Sequence, residues 1–249
     1  MACTPNPGTE IVEFVGTPGS GKSYLSERLC TYAGLEATNF MSRSEGRAIA
    51  MARYGLLFAR FGGAIMQTIW RSGFLFRAAP IKRRLWQLKL LLRAIVLADR
   101  VGRRARPRDG ATIVLDQAVW QSLMSCRMAG LEFAPATISA LLGTSQTRPA
   151  RRMIVLHTVD AKTAKTSAAK RQDNQLPALA KFGEAEVDEI FANYDRAFTW
   201  VVDEIHARGF AVVQTFRSAA TEDNIAALLL AIGYQTPDEC SEIGNLSDG

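Results

Sequence analysis

The chain has 249 residues, 48% of them apolar, with a formal charge of +6 and a pI near 9.3. That is enough apolar material for a sizeable core, and since no Gly/Ser- or Pro-rich linker divides the chain, a single domain is expected. Cys3, Cys30, Cys126 and Cys240 are dispersed without a C-x-x-C pair, which argues against a zinc site or a disulfide framework. The positive charge points to acidic ligands, for which nucleotides, nucleic acid and anionic lipid all qualify.

The first ten residues, MACTPNPGTE, have neither the basic start nor the apolar core of a signal peptide, and a reducing, cytoplasmic setting is expected. Ile11, Val12, Phe14 and Val15 then make a first strand. It runs into GTPGSGKS, Gly16 to Ser23, which has the pattern G-x-x-x-x-G-K-[ST] and leads into a helix from about Lys22 to Tyr32. The chemistry follows from backbone geometry. Glycines let successive N–H groups point inward at an anion, and a helix amino terminus adds its positive dipole end. The expected nucleotide-binding set is Gly16, Thr17, Pro18, Gly19, Ser20, Gly21, Lys22, Ser23 and Tyr24. In it Lys22 meets the β- and γ-phosphates of ATP and the Ser23 hydroxyl ligates Mg²⁺. The bland alternative is a glycine-rich surface turn before an ordinary helix.

After Gly34, a helix stop, Leu35 to Met41 is a candidate strand. From Glu45 to Arg106 the pattern is helical, with breaks expected at Gly62-Gly63, Gly73 and Pro80, hence two or three helices. Phe58, Phe61, Ile65 and Ile69 form one apolar stripe, and Leu85, Leu88, Leu92 and Ile95 another. Both read as core, with an apolar substrate groove as the alternative. Arg60 and Arg71, and Lys89 and Arg93, interrupt the two most apolar stretches, so neither is expected to span a membrane. Lys82 to Arg108 carries ten Lys or Arg and one acid, Asp99. That run leaves a binding module for nucleic acid or anionic membrane as a second function class, although Leu85, Trp86 and Leu88 within it are expected to pack inward.

ATIVLD, Ala111 to Asp116, reads as a buried parallel strand. Ligands in open α/β sheets sit beyond the carboxyl ends of the strands, which puts Asp116 where a phosphate-bound Mg²⁺ or an attacking hydroxyl would be. Its other reading is an N-cap for the next helix, and the two are compatible. Helices follow at about Val119 to Ala129 and Pro135 to Leu142. Then come a strand from Met153 to Leu156 or His157, an N-cap at Asp160, and a basic helix from Ala161 to Arg171. Glu184 to Ala207 is a long amphipathic helix ended by Gly209. Phe210 to Thr215 is the last strand, and Thr221, as N-cap, opens the last helix, to Ile232. The alternation argues a three-layer α/β/α fold with a parallel, five-stranded sheet.

Four features in this order resemble the thymidylate kinase and deoxynucleoside kinase group of P-loop phosphotransferases. They are GTPGSGKS, the strand ending in Asp116 with QAVWQSL after it, IVLHTVDAKTAKTSAAKR from Ile154 to Arg171, and the terminal FAVVQTFRSAATEDNIAALLLAI. The resemblance implies an ATP- and Mg²⁺-dependent kinase in which Lys22, Asp116 and Arg171 are catalytic and Ser23 and Asp116 hold the metal. Arg171 would belong to a lid at about 170–183, with Lys170 and Lys165 in reserve. Residues 1–235 would form the kinase-like domain, the helical insertion at about 45–108 would recognise a small-molecule acceptor, and 236–249 would be a flexible acidic tail. Gln117 departs from the family's Asp-Arg, so the acceptor class stays open. A nucleotide switch or ATPase that hydrolyses without an acceptor remains the alternative, and a homodimer would be an unsurprising assembly.

Overall fold

In the computed structural model, which describes residues 11–35, 47–73, 81–104, 112–143, 152–170 and 184–233, every residue of β1 (Ile11–Val15) is buried. A strand covered on both faces needs helices on both, and the parallel crossovers supply them. The chain continues as α1 (Lys22–Ala33), α2 (Arg47–Arg71), α3 (Ile81–Arg104), β2 (Ile113–Leu115), α4 (Val119–Met128) and α5 (Pro135–Gly143). After these come β3 (Arg152–Thr158), α6 (Ala161–Lys170), α7 (Glu184–Ala207), β4 (Ala211–Phe216) and α8 (Thr221–Ile232).

Among the described residues the sheet is four-stranded and wholly parallel, in the order β2-β1-β3-β4. Past Leu35, which is irregular, the candidate strand at 35–41 lies outside the described residues. Strand alternation divides the core. Ile11, Val15, Leu115, Ile154 and Leu156 pack with the apolar faces of α2, α3, α4, α5 and α7. Val12, Phe14, Val114, Met153 and Val155 pack on the opposite side with α1 and α8. The result is the expected three-layer α/β/α arrangement. Each of these side chains, fully buried, contributes about 1.5–3 kcal/mol.

Three local expectations need correction. Gly62-Gly63 does not break α2, which runs through it as one helix of 25 residues. A helical glycine costs about 1 kcal/mol against alanine, and burial of Leu57, Phe61 and Ile65 along the same face outweighs that. The N-cap of α8 is Ala220, not Thr221. The turn before α8 is held by Asn224, whose side chain accepts from Phe216 N–H at 3.2 Å and donates to Phe216 C=O at 2.8 Å. Finally, Leu85 and Trp86 do not pack inward but are exposed. Asp160 does cap α6, its Oδ1 accepting from Thr163 N–H at 2.8 Å. Among the described residues no helix is long and apolar enough to cross a membrane.

Candidate nucleotide site

The turn between β1 and α1 sits at the carboxyl edge of the sheet, with β2 on one flank and β3 on the other. Its conformation requires glycine at two points. Gly19 has φ 81°, and a Cβ there would lie 2.5 Å from the carbonyl oxygen of Ala164 in the first turn of α6. At Gly16 a Cβ would lie 2.5 Å from the carbonyl oxygen of His157 at the end of β3. The turn is thus pressed against β3 and α6 at distances that only hydrogen permits.

Its backbone is braced from three directions. Gln121 on α4 accepts the Gly16 N–H through Oε1 at 3.2 Å. Arg217, just after β4, donates from Nη1 to the Gly19 carbonyl. Within the turn, Ser20 N–H bonds to Thr17 C=O at 3.2 Å. The N-cap of α1 is Gly21, which has no side chain to cap the helix, so the first-turn N–H groups are not met by a capping side chain. Lys22 is buried in that turn, and Tyr24 is exposed on the same helix. An anion is the natural partner for such a terminus.

His157 forms part of the floor. Its Nδ1 lies 2.8 Å from Thr215 Oγ1, and its Nε2 lies 3.8 Å from where a Cβ on Gly21 would be. Burial is the main reason its pKa falls below the usual 6.5, with the positive charges of Lys22 and Arg217 adding to the fall and a hydrogen bond to the Ser20 backbone opposing it. The imidazole under the turn is therefore neutral near pH 7.

Asp116 lies one residue beyond β2. The register pairs Leu115 with Glu13, so Asp116 is level with Phe14 and close to where the turn begins. Its Oδ1 is buried and has no hydrogen-bond partner. It is not a helix cap, because Ala118 occupies the N-cap of α4. The cap of α4 is supplied instead by Glu13 on β1, whose Oε1 accepts from Trp120 N–H at 2.6 Å. Glu13 is fully buried, and its other oxygen pairs with Arg152 at 2.5 Å. Burial pushes its pKa upward, against the opposing pull of Arg152 and the Trp120 N–H.

An orphaned buried carboxylate oxygen beside an uncapped, lysine-bearing turn fits a magnesium-bound polyphosphate, which supplies a cation to one and an anion to the other. Ser23 and Asp116 are the residues that would hold the metal. Among the described residues no group of three or more His, Cys, Asp or Glu side chains is positioned to hold a metal ion, so the ligand's own oxygens would complete its coordination.

Of the remaining expected residues, Arg171 and the segment 171–183 lie outside the described residues, and Lys165 pairs with Asp188 on α7. A cavity of about 490 Å³ between α2 and α5, lined by Arg60, Phe61, Gln67 and Thr137 among others, includes none of the expected site residues. Glu13, Gln121 and Arg217 carry parts of the site that motif spacing does not mark. Glu13 alone had a signal, as the one charge in the apolar run IVEFV.

No family model matches the sequence, and no curated protein matches it. Among solved structures, deoxyadenosine kinase from M. mycoides with the products dCMP and dCDP aligns over 89% of this chain and 98% of its own, with TM-score 0.50 and 11% identity. Thymidylate kinase from Candida albicans aligns over 90% of this chain and 91% of its own, with TM-score 0.49 and 16% identity. The fold is that of the P-loop nucleoside kinases. In this fold the glycine turn follows the inner strand β1, and Asp116 lies one residue beyond the neighbouring strand β2.

Proposed function

We propose that the chain is an ATP- and Mg²⁺-dependent phosphotransferase that moves the γ-phosphate to a small acceptor bearing a hydroxyl or phosphate. The observation that supports this most directly is the buried, unpartnered Oδ1 of Asp116, one residue beyond the strand next to the one that feeds the glycine turn. That carboxylate suits either a magnesium ligand or a base for the acceptor hydroxyl, and the acceptor assay below separates a kinase from an ATPase.

In this reading the backbone N–H groups of Gly19 to Ser23 and the Lys22 ammonium hold the phosphates in line for transfer. Mg²⁺, when bound by Ser23 and Asp116, supplies charge neutralisation for the oxygens of the transferred group. Asp116 acts either by taking the proton of the acceptor hydroxyl as that oxygen bonds to the γ-phosphorus and ADP departs, or by ordering a metal-bound water. The neutral His157 supports the turn from below without repelling a cation. Arg171 is the lid cation, and the contact of Gly19 with Ala164 supports α6, which leads to it, as a wall of the site. The segment 45–108 is the acceptor side, and 170–183 the lid.

Because the deoxyadenosine kinase of similar fold holds dCMP and dCDP, nucleosides and nucleoside monophosphates head the acceptor panel, followed by sugars and other hydroxyl compounds. The test is ADP release by purified protein with ATP and Mg²⁺, acceptor by acceptor. Release should be slow alone and rise with one acceptor class. Asp116→Asn should lower that turnover by about a hundredfold or more while nucleotide binding persists. Fast hydrolysis with no acceptor, unchanged across the panel, would replace the kinase by an ATPase.

A further inference from the structure

Gly19 has φ 81°, and a glycine leaves the peptide plane that follows it easy to turn over. Both polar ends of the peptide joining Gly19 to Ser20 are nevertheless held. Its N–H bonds to Thr17 C=O at 3.2 Å, and its carbonyl accepts from Arg217 Nη1. A peptide is planar with these two groups on opposite edges, so turning it over would set the Gly19 carbonyl toward that of Thr17 and free the Ser20 N–H. Arg217 opposes that rotation with a charge-assisted hydrogen bond, about twice as strong as a neutral one.

Arg217 is exposed, and such an arginine ordinarily gives up too much rotamer freedom to hold one contact well. Here the backbone beneath it is fixed first. Arg217 N–H bonds to Thr158 C=O at 3.0 Å, which carries the pairing of β3 with β4 one residue past Phe216. Asn224, buried on α8, clasps both the N–H and the C=O of Phe216. From that base the side chain reaches the turn, with its Cδ 4.0 Å from where a Cβ on Gly21 would be.

We propose that Arg217 is a positioning residue for the nucleotide turn: seated on the end of β3 and on Asn224, it fixes the Gly19–Ser20 peptide so that the N–H groups after it face the phosphates of Mg-ATP. It acts through the backbone of the turn and does not itself touch the phosphates. This rests on the reading of the turn as a nucleotide site, but not on transfer to an acceptor.

The test compares Arg217→Met and Arg217→Lys with the parent. In the protein without nucleotide, amide exchange at Ser20 should be about tenfold faster in Arg217→Met and close to the parent in Arg217→Lys, because the contact runs through a single nitrogen that lysine also offers. Calorimetric titration should show Mg-ATP and Mg-ADP both bound about tenfold more weakly by Arg217→Met, with Arg217→Lys restoring most of the affinity. Arg196→Met removes the same charge from an exposed position on α7 and should leave both readouts unchanged. Parental exchange at Ser20 in Arg217→Met would overturn the proposal. So would a loss of affinity confined to ATP, which would make Arg217 a direct contact of the γ-phosphate, or an equal loss in Arg196→Met, which would make it general charge attraction. Failure of the nucleotide reading is distinct: the parent itself would then bind neither nucleotide, which overturns the proposal whatever the exchange shows.

Discussion

Gln121 on α4 accepts the backbone N–H of Gly16 at 3.2 Å, so the first residue of the glycine turn is held by a side chain 105 positions away in sequence. Removing that acceptor leaves a partly buried N–H unmet and loosens the turn at its entrance. A hydrogen bond of this kind contributes about 0.5–1.5 kcal/mol, so Gln121→Ala should weaken Mg-ATP binding about three- to tenfold. Calorimetric titration of the variant against the parent reads this directly. Parental affinity would show that the contact is incidental to the turn.

Glu13 and Arg152 form a buried pair, and Glu13 also caps α4 through Trp120 N–H. Glu13→Ala breaks a buried ion pair with Arg152 and uncaps the helix that carries Gln121. The expected loss of stability is about 3–5 kcal/mol by denaturant unfolding. Glu13→Leu combined with Arg152→Leu removes both charges and should recover much of it. If the double variant is no more stable than Glu13→Ala, the uncapped helix, and not the broken ion pair, is the main cost.

Lys22 is buried in the first turn of α1 below an amino terminus with no side-chain cap. Lys22→Ala takes away the cation proposed to meet the phosphates but none of the contacts holding the turn to Gln121 and Arg217. ADP release in the presence of the acceptor should fall to background while the far-UV spectrum and unfolding midpoint stay close to the parent. Retained turnover would remove the turn from the chemistry.

The strands and the turn were legible because buried parallel strands leave short apolar runs, and IVEFV, TIVL and MIVL are such runs. The phosphate-binding pattern depends on local backbone, which sequence reports directly. The bracing residues were not legible. Gln121, His157 and Arg217 meet the turn only because the strand order is β2-β1-β3-β4, and nothing local encodes that order. Asp116 was found at its strand end, but Glu13, not Asp116, caps the next helix, since a carboxylate inside a buried strand must find donors and α4 offers them. The stripe through Leu85 and Leu88 had the right period. What period does not encode is how far a helix projects past its core, and among the described side chains of α3 the first buried one is Leu91.

Gly19 and Gly209 both have positive φ, 81° and 67°, but only Gly19 is crowded. A Cβ at Gly209 would meet nothing within 4 Å, whereas at Gly19 it would meet backbone of α6 at 2.5 Å. Gly209→Ala should therefore cost only the conformational term, about 1–2 kcal/mol. Gly19→Ala should cost the same strain and in addition displace α6 or the turn, weakening Mg-ATP binding by tenfold or more on the order of one misplaced contact. Unfolding and binding measured on both variants separate the two effects. Equal nucleotide affinity in Gly19→Ala and Gly209→Ala would mean that the approach of α6 does not shape the site.

His157 gives the turn a pH dependence whose sign is set by burial. The folded chain holds the imidazole below its usual 6.5, chiefly because desolvation disfavours the charged ring, while the unfolded chain takes up the proton normally. Between those two values the unfolded state binds more protons. The stability that depends on neutral His157 is therefore complete above about pH 6.5 and is lost as pH falls toward the folded pKa, by at most about 1.4 kcal/mol per pH unit. Unfolding midpoints taken at about pH 7.5 and about pH 5.5 should fall for the parent and fall less for His157→Gln, which cannot titrate there. The second histidine, His206, is exposed at the end of α7 and stays in both proteins, so the difference between their slopes isolates His157. Identical slopes would mean that protonation of His157 does not open the floor beneath the turn.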